Sequence, residues 1–206
     1  MSVPLTPQGF GRAVSALVAQ DGDLAAIVAQ HGRPRFWHRE PGFPTLVLII
    51  LEQQVSLASA RAAYDRLLEQ VGGRLNPARL LELSDASQRA AGCSRQKTRY
   101  SRALAAAVEA GELPLDELDG LPDEEARARL QTVVGIGRWT ADVYLLSALR
   151  RPDVWPVGDL ALVVALQRAK GLTERPTPAA MTRAGENWRP WRSVAARLLW
   201  HEYLSR

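Results

Sequence analysis

The sequence predicts an all-α protein, and three observations lead to that prediction. Apolar residues recur at three- and four-residue intervals between helix start and stop signals. No strand-like alternation of apolar and polar residues precedes residue 40. The segment 130–166 contributes the third observation, because it contains a helix, a turn with two glycines, a second helix, a short loop and a third helix that follows an aspartate.

Length and composition limit the domain organisation and the function class. A chain of 206 residues forms one large domain or two small helical lobes. The net charge of +4 is compatible with a polyanionic partner. Cys93 is the only cysteine, which excludes an intramolecular disulfide and indicates a reducing compartment. The three histidines are scattered, so they suggest no transition-metal site.

No segment predicts membrane insertion. The most apolar run, Leu46 to Leu51, is far too short to span a bilayer, and no signal peptide is visible. We therefore expect a cytoplasmic protein without a membrane partner.

Helices are predicted along the N-terminal half, and each is bounded by proline, glycine or a capping side chain. The predicted ranges are 9–19, 24–31, 46–51, 57–71 and 95–110, with two short helices beginning at Asn76-Pro77 and Ser84-Asp85. The loop 32–44 contains Phe36, Trp37 and Phe43. Core packing is the favoured interpretation of these aromatics, and lining of a ligand pocket is the alternative.

Gly135 and Gly137 define the turn between the two helices of the central segment. Glycine tolerates the backbone of a sharp reversal, and a following helix that begins near Arg138 would present unpaired N–H groups. Such groups bind an anion such as a phosphate, because they lie at the positive end of the helix dipole. The spacing alone fits an ordinary helix–helix turn equally well.

Asp159 precedes the last helix of the segment, 160–169. Aspartate is a favoured N-cap, which is one sufficient role. The same position fixes the direction of a carboxylate that could stabilise a sugar cation and orient a water molecule.

Three separated motifs resemble the helix-hairpin-helix DNA glycosylase superfamily, in the alkylated-base branch of the 3-methyladenine DNA glycosylase II type. The motifs are LQTVVGIGRWTADVYLL…VWPVGDLAL, ILEQQVS and WRPWRSVAA, and the resemblance covers most of residues 40–203. It implies a two-lobed helical fold with the active-site cleft between the lobes. We expect one unit over residues 1–206, with lobes of roughly 40–110 and 1–39 plus 111–206, and no N-terminal sheet domain.

The resemblance assigns roles to residues of the hairpin and the acidic loop. Asp159 matches the catalytic aspartate. Amides around Gly135, Gly137 and Thr140 match the phosphate-binding positions. Backbone carbonyls near Gln131, Val133 and Ile136 match a site for a monovalent cation, Na⁺ or K⁺. No other cofactor is expected, and a single cysteine excludes the four-cysteine iron–sulfur cluster of some relatives.

Other matches concern the base and the DNA backbone. Gln54, with Gln53 beside it, matches the wedge that fills the gap left by a flipped base. Trp191 matches a position that stacks on the extruded base, and an aromatic wall attracts a cationic purine, so Trp139 and Trp191 are predicted to line the pocket. Trp155, Trp188 and Trp200 are interpreted as structural. The C-terminal helix, within 189–203, is predicted to start at Pro190.

A basic helix supplies a further predicted DNA contact. Arg95, Lys97, Arg99 and Arg102 form the densest basic patch of the chain, although charge runs are normally solvated surface. We expect Lys97 to contact phosphate.

Lysine usage predicts the reaction type. Bifunctional relatives use a nucleophilic lysine directly after the GxGR element, and this chain has Trp139 there. The sequence therefore predicts a monomeric, monofunctional enzyme that removes alkylated purines from double-stranded DNA in base excision repair. Alternatives are a glycosylase for uracil, hypoxanthine or oxidised purine, a non-catalytic DNA-binding module, and a helical interaction protein.

Overall fold

The computed structural model describes residues 3–205, and its regular structure is helical throughout. These residues contain twelve α-helices, one 3-10 helix and no β-strand, so the all-α prediction is confirmed. The α-helices in chain order are α1 (Pro7–Gln20), α2 (Gly22–His31), α3 (Phe43–Glu52), α4 (Leu57–Gln70), α5 (Pro77–Glu82), α6 (Asp85–Ala90), α7 (Arg95–Glu109), α8 (Asp123–Gln131), α9 (Arg138–Ser147), α10 (Leu160–Ala169), α11 (Pro178–Glu186) and α12 (Arg192–Leu204). The 3-10 helix is Glu117–Gly120.

The helices group into two compact units. Residues 39–149 form the first unit, which contains α3 to α9. Within the described chain, residues 3–38 and 150–205 form the second unit, which contains α1, α2 and α10 to α12. The boundary differs from the predicted lobes, because residues 111–149 belong with 39–110. The reason is packing: α9 lies against α3, and α8 lies against α9.

The first unit is built around α3. This helix is apolar on almost every side, and Leu46, Ile49 and Ile50 are completely buried. A helix of that kind needs neighbours on several faces. It contacts α4, α7 and α9, and this places the turn after α3 close to the hairpin between α8 and α9.

The second unit is built around α12. Residues 193–199 of this helix are all buried, and the helix contacts α1, α2, α10 and α11. Its side chains are therefore held on several sides at once, which is a rigid basis for a functional site.

Two helical details differ from the sequence prediction. Helix α11 was not predicted, although Thr177 caps it and Pro178 opens it. Helix α12 was expected to start near Pro190, but Trp191 is its N-cap and the Arg189–Pro190 peptide bond before it is cis. No helix among residues 3–205 is long and apolar enough to cross a membrane.

Candidate functional site

Asp159 is the N-cap of α10, as the sequence predicted. Its Oδ1 accepts a hydrogen bond from the Leu162 amide at 2.9 Å and another from Nε1 of Trp200 at 3.1 Å. The residue is 7% exposed. Two N–H donors on one oxygen fix the direction of the carboxylate, so its negative charge is held in a defined position within the second unit.

An aromatic pair adjoins this carboxylate. The ring of Trp200 lies 6.1 Å from the ring of Trp37, centroid to centroid, and Trp37 is 38% exposed. Sequence analysis interpreted Trp200 as structural and favoured core packing for Trp37, whereas the structure shows that Trp200 binds the candidate catalytic group and that Trp37 packs near Trp200. No local pattern contained this information, because the Trp200–Asp159 bond joins residues 41 positions apart.

The two tryptophans predicted for the base pocket lie in different units. Trp191 is half-buried at the N-cap of α12, where its amide donates to the Trp188 carbonyl at 2.7 Å. Trp139 is half-buried in the first turn of α9. These contacts give Trp191 a role in starting its helix, and the pocket role of both residues stays a prediction.

The other two tryptophans interpreted as structural pack in the second unit. Trp188 is 1% exposed and Trp155 is 5% exposed, with their rings in edge contact at 5.3 Å. Nε1 of Trp155 donates to the Met181 carbonyl at 2.9 Å.

The hairpin between α8 and α9 has the glycine geometry that the sequence predicted. Gly135 has a φ of +97°, and a Cβ there would lie 2.1 Å from Cγ of Tyr100. Gly137 is the N-cap of α9 and supplies no side-chain cap. The first amides of α9 have no partner within the helix, and an anion can approach them closely at a glycine.

The paired glutamines after α3 have different environments. Nε2 of Gln53 donates to the Gly135 carbonyl and to Oγ1 of Thr140, both at 2.9 Å, and Thr140 is 2% exposed. Gln53 therefore supports the hairpin instead of forming an exposed tip. Gln54 is exposed and has a φ of +57°. The wedge prediction consequently depends on Gln54.

The basic patch of α7 is only partly directed to solvent. Nζ of Lys97 donates to the Leu51 carbonyl in the last turn of α3, and burial lowers its pKa. Lys97 therefore stabilises the turn that carries Gln54, and the phosphate contact stays a prediction. Arg102 donates to the Leu83 carbonyl at 2.7 Å. Arg95 and Arg99 are exposed.

A buried ion pair joins the two helices of the hairpin. Nε of Arg127 in α8 lies 2.6 Å from Oδ1 of Asp142 in α9, and Asp142 is completely buried. Burial raises the pKa of Asp142, and the Arg127 charge opposes that shift. Removing either partner would leave the other with only an ion pair to an exposed side chain, Asp142 with Arg138 or Arg127 with Glu124, so the pair fixes α8 against α9.

The carbonyls predicted to hold a cation lie at the end of α8 and in the turn. Gln131 is the last residue of α8, and the Val133 carbonyl accepts from the Ile136 amide at 3.0 Å. A carbonyl oxygen has a second lone pair, so this bond is compatible with an ion contact. Among residues 3–205, no group of three His, Cys, Asp or Glu side chains could hold a metal ion.

Comparison with known proteins places these features in a family. Residues 47–190 match the family described as HhH-GPD superfamily base excision DNA repair protein. DNA-3-methyladenine glycosylase 1 of Schizosaccharomyces pombe is 28% identical over 180 residues, which cover 86% of this chain and 79% of that protein. DNA-3-methyladenine glycosylase 2 of Escherichia coli is 33% identical over 165 residues, which cover 75% of this chain and 55% of that protein.

A solved structure shows the same fold. The S. pombe 3-methyladenine DNA glycosylase in complex with abasic DNA superposes with a TM-score of 0.87 at 27% identity, over 92% of this chain and 95% of that one.

Proposed function

Because this chain belongs to the HhH-GPD superfamily of base excision DNA repair proteins, we propose that it is a monofunctional DNA glycosylase for alkylated purines in duplex DNA. One observation supports this proposal most strongly. Asp159 is a buried carboxylate oriented by Leu162 and Trp200, and a partly exposed aromatic, Trp37, packs near the ring of Trp200. Two of its relatives are named DNA-3-methyladenine glycosylases, which supports an alkylated purine as the lesion.

The proposed chemistry is hydrolysis of the N-glycosidic bond. A purine alkylated at N3 or N7 carries a positive charge, so the C1′–N9 bond breaks with both electrons going to the base. The sugar becomes an oxocarbenium cation, and a fixed negative charge nearby lowers the barrier to its formation. Asp159 supplies this charge and orients the water whose oxygen bonds to C1′. The proton of that water is lost to solvent through the carboxylate.

The hairpin supplies contacts to the DNA backbone. Amides at the start of α9, after Gly137, hold a phosphate without reading the base sequence. The exposed Arg95 and Arg99 add positive charge from α7 in the same unit. A cation on the carbonyls near Gln131, Val133 and Ile136 would add positive charge beside that phosphate. These contacts position the duplex, while the chemistry depends on Asp159.

The turn after α3 supplies the wedge that replaces the extruded base. Gln54 is at the tip of this turn, followed by two apolar residues, Val55 at 45% and Leu57 at 54% exposure. Apolar side chains compensate for the weaker stacking of a polar glutamine. Hydrogen bonds from Gln53 to the hairpin and from Lys97 to the end of α3 stabilise the turn, so the wedge is ordered in the absence of DNA.

The absence of strand cleavage is a part of the proposal. A bifunctional enzyme needs an amine that forms a Schiff base with C1′. The position after the GxGR element is Trp139, and Lys97 is directed to the Leu51 carbonyl. We therefore propose that the enzyme leaves an intact abasic strand. We also propose that it acts as a cytoplasmic monomer, as the sequence predicted.

The test is base release from duplex DNA treated with a methylating agent, with wild type beside Asp159→Asn. Free bases are identified by chromatography and mass spectrometry, and strand integrity is followed with and without alkali. We expect 3-methyladenine from wild type only, and strand breaks only after alkali. Equal release by both proteins would remove Asp159 from the chemistry. Salt-dependent binding without release would indicate another lesion or a binding module.

A further inference from the structure

Arg197 is a buried cation surrounded by aromatic rings in the second unit. It lies on α12 and is 1% exposed. Its guanidinium carbon is 4.2 Å from the ring centroid of Trp37, 5.5 Å from that of Phe36 and 6.0 Å from that of Phe10. The shortest of these distances is to Trp37, so the charge acts most strongly on that indole.

A hydrogen bond also joins Arg197 to the loop that carries Trp37. Nη1 of Arg197 donates to the Trp37 carbonyl. The same guanidinium therefore holds the backbone of Trp37 and covers one face of its ring. Because Arg197 is buried, the exposed part of the indole lies away from that face.

The covered indole is close to the proposed catalytic carboxylate. Its ring lies 6.1 Å from Trp200, whose Nε1 donates to Asp159. All four residues belong to the second unit. The exposed part of Trp37 is therefore the part of the ring that a base can contact, because Arg197 covers the other face.

A cation on one face of an indole changes what the other face attracts. The negative charge density of the ring draws a cation to either face. When a guanidinium already polarises the ring, a second cation on the opposite face gains less and is repelled by the first. A neutral base stacks largely by dispersion and loses much less.

We propose that a base released at Asp159 stacks on the exposed part of Trp37, and that Arg197 is a specificity-determining residue whose charge on the covered face of this ring reduces the preference for positively charged bases over neutral ones. This inference rests on the proposed function, since it concerns the base that Asp159 releases. The charge of Arg197 acts by polarising the indole and repelling a cation on its other face. The hydrogen bond from Arg197 to the Trp37 carbonyl keeps the ring in place. Removing the charge while keeping a donor separates the two roles.

The test compares single-turnover excision of 7-methylguanine, which is cationic, and hypoxanthine, which is neutral, from otherwise identical duplexes. Arg197→Gln removes the charge and keeps an N–H donor, and Arg197→Lys keeps the charge. We expect the ratio of cationic to neutral excision to rise about threefold to tenfold in Arg197→Gln and to stay near the wild-type value in Arg197→Lys. Circular dichroism checks that each variant is folded.

An unchanged or lower ratio in Arg197→Gln would overturn the inference, even if both rates fell. If that variant did not fold, Arg197→Met would be measured in its place under the same criterion. Failure of wild type to release 7-methylguanine, hypoxanthine and 3-methyladenine would instead contradict the proposed function. In that case the affinities of wild type and Arg197→Gln for the two duplexes would decide whether Arg197 discriminates.

Discussion

Two aspartates of the second unit occupy the same local arrangement, and only one is proposed to be catalytic. Asp21 is the N-cap of α2, and Asp159 is the N-cap of α10. Each also accepts a hydrogen bond from an indole, Asp21 from Trp188 at 2.8 Å and Asp159 from Trp200 at 3.1 Å. The chain thus contains a matched pair of capped, tryptophan-bonded carboxylates.

The surroundings of the two carboxylates differ. Asp21 receives the amides of Asp23 and Leu24 on Oδ1 and the indole on Oδ2, and its tryptophan is buried in the core. Asp159 receives both described bonds on Oδ1, and its tryptophan faces the partly exposed Trp37. Capping is therefore common to both sites, and the accessible aromatic pair is what distinguishes the candidate catalytic one.

The largest difference is expected from replacing each aspartate by asparagine. Asparagine caps a helix as well as aspartate does, so both helices keep their N-caps. Asp159→Asn should lower single-turnover base release by at least about a hundredfold, because the charge is lost, whereas Asp21→Asn should keep nearly all of it. Similar loss in both variants would mean that the charge acts through fold stability, which thermal unfolding would reveal.

The two tryptophans should separate activity from stability. Trp200→Phe removes the donor that orients Asp159, and we expect base release to fall about tenfold with a small change in stability. Trp188→Phe alters a buried core residue, so it should cost about 1–3 kcal/mol of unfolding free energy and leave excision intact. Urea unfolding and excision rates measured on the same preparations check both statements.

Combining the substitutions sharpens the contrast further. If Trp200 acts through the carboxylate, Trp200→Phe should have almost no effect on base release in an Asp159→Asn background. Additive losses would indicate that the indole contacts the substrate independently of Asp159. The double variant Asp21→Asn with Trp188→Phe serves as the control. Its two substitutions should be non-additive in the free energy of unfolding and should have no effect on base release.

The smallest expected effect is the loss of the caps themselves. Replacing either aspartate by alanine removes its bonds to first-turn amides and to an indole, and each variant should lose about 1–2 kcal/mol of stability. Nearly equal losses, measured by urea unfolding, would show that the two sites are structurally equivalent. A much larger loss at Asp159 would argue for a mainly structural carboxylate.

Local sequence patterns predicted most helices of this fold, because the causes of helix starts and ends are local. Asp159 follows Pro156-Val157-Gly158 and caps an apolar segment, and the observed helix α10 has the predicted limits of 160 and 169. Gly135 and Gly137 likewise marked the hairpin. Caps and turns depend on neighbouring residues, so they can be identified without knowledge of packing.

Contacts between distant residues were not predictable in the same way. Lys97 binds a carbonyl 46 positions away, and Trp200 binds a carboxylate 41 positions away. Neighbouring glutamines also differ, since only Gln53 is held by the hairpin. In each case the side-chain type was informative, but its direction depends on how the helices pack.

The buried pair of Arg127 and Asp142 has a consequence for the DNA binding proposed for the hairpin. The pair fixes α8 against α9 inside the folded chain. The conformational entropy of the hairpin is therefore lost when the chain folds and not when DNA binds. If the hairpin binds phosphate as proposed, the phosphate meets a preorganised site, and we expect association to be limited by diffusion and orientation and not by ordering of a loop. Such a surface suits a protein that samples many undamaged sites briefly, because each encounter begins and ends without refolding.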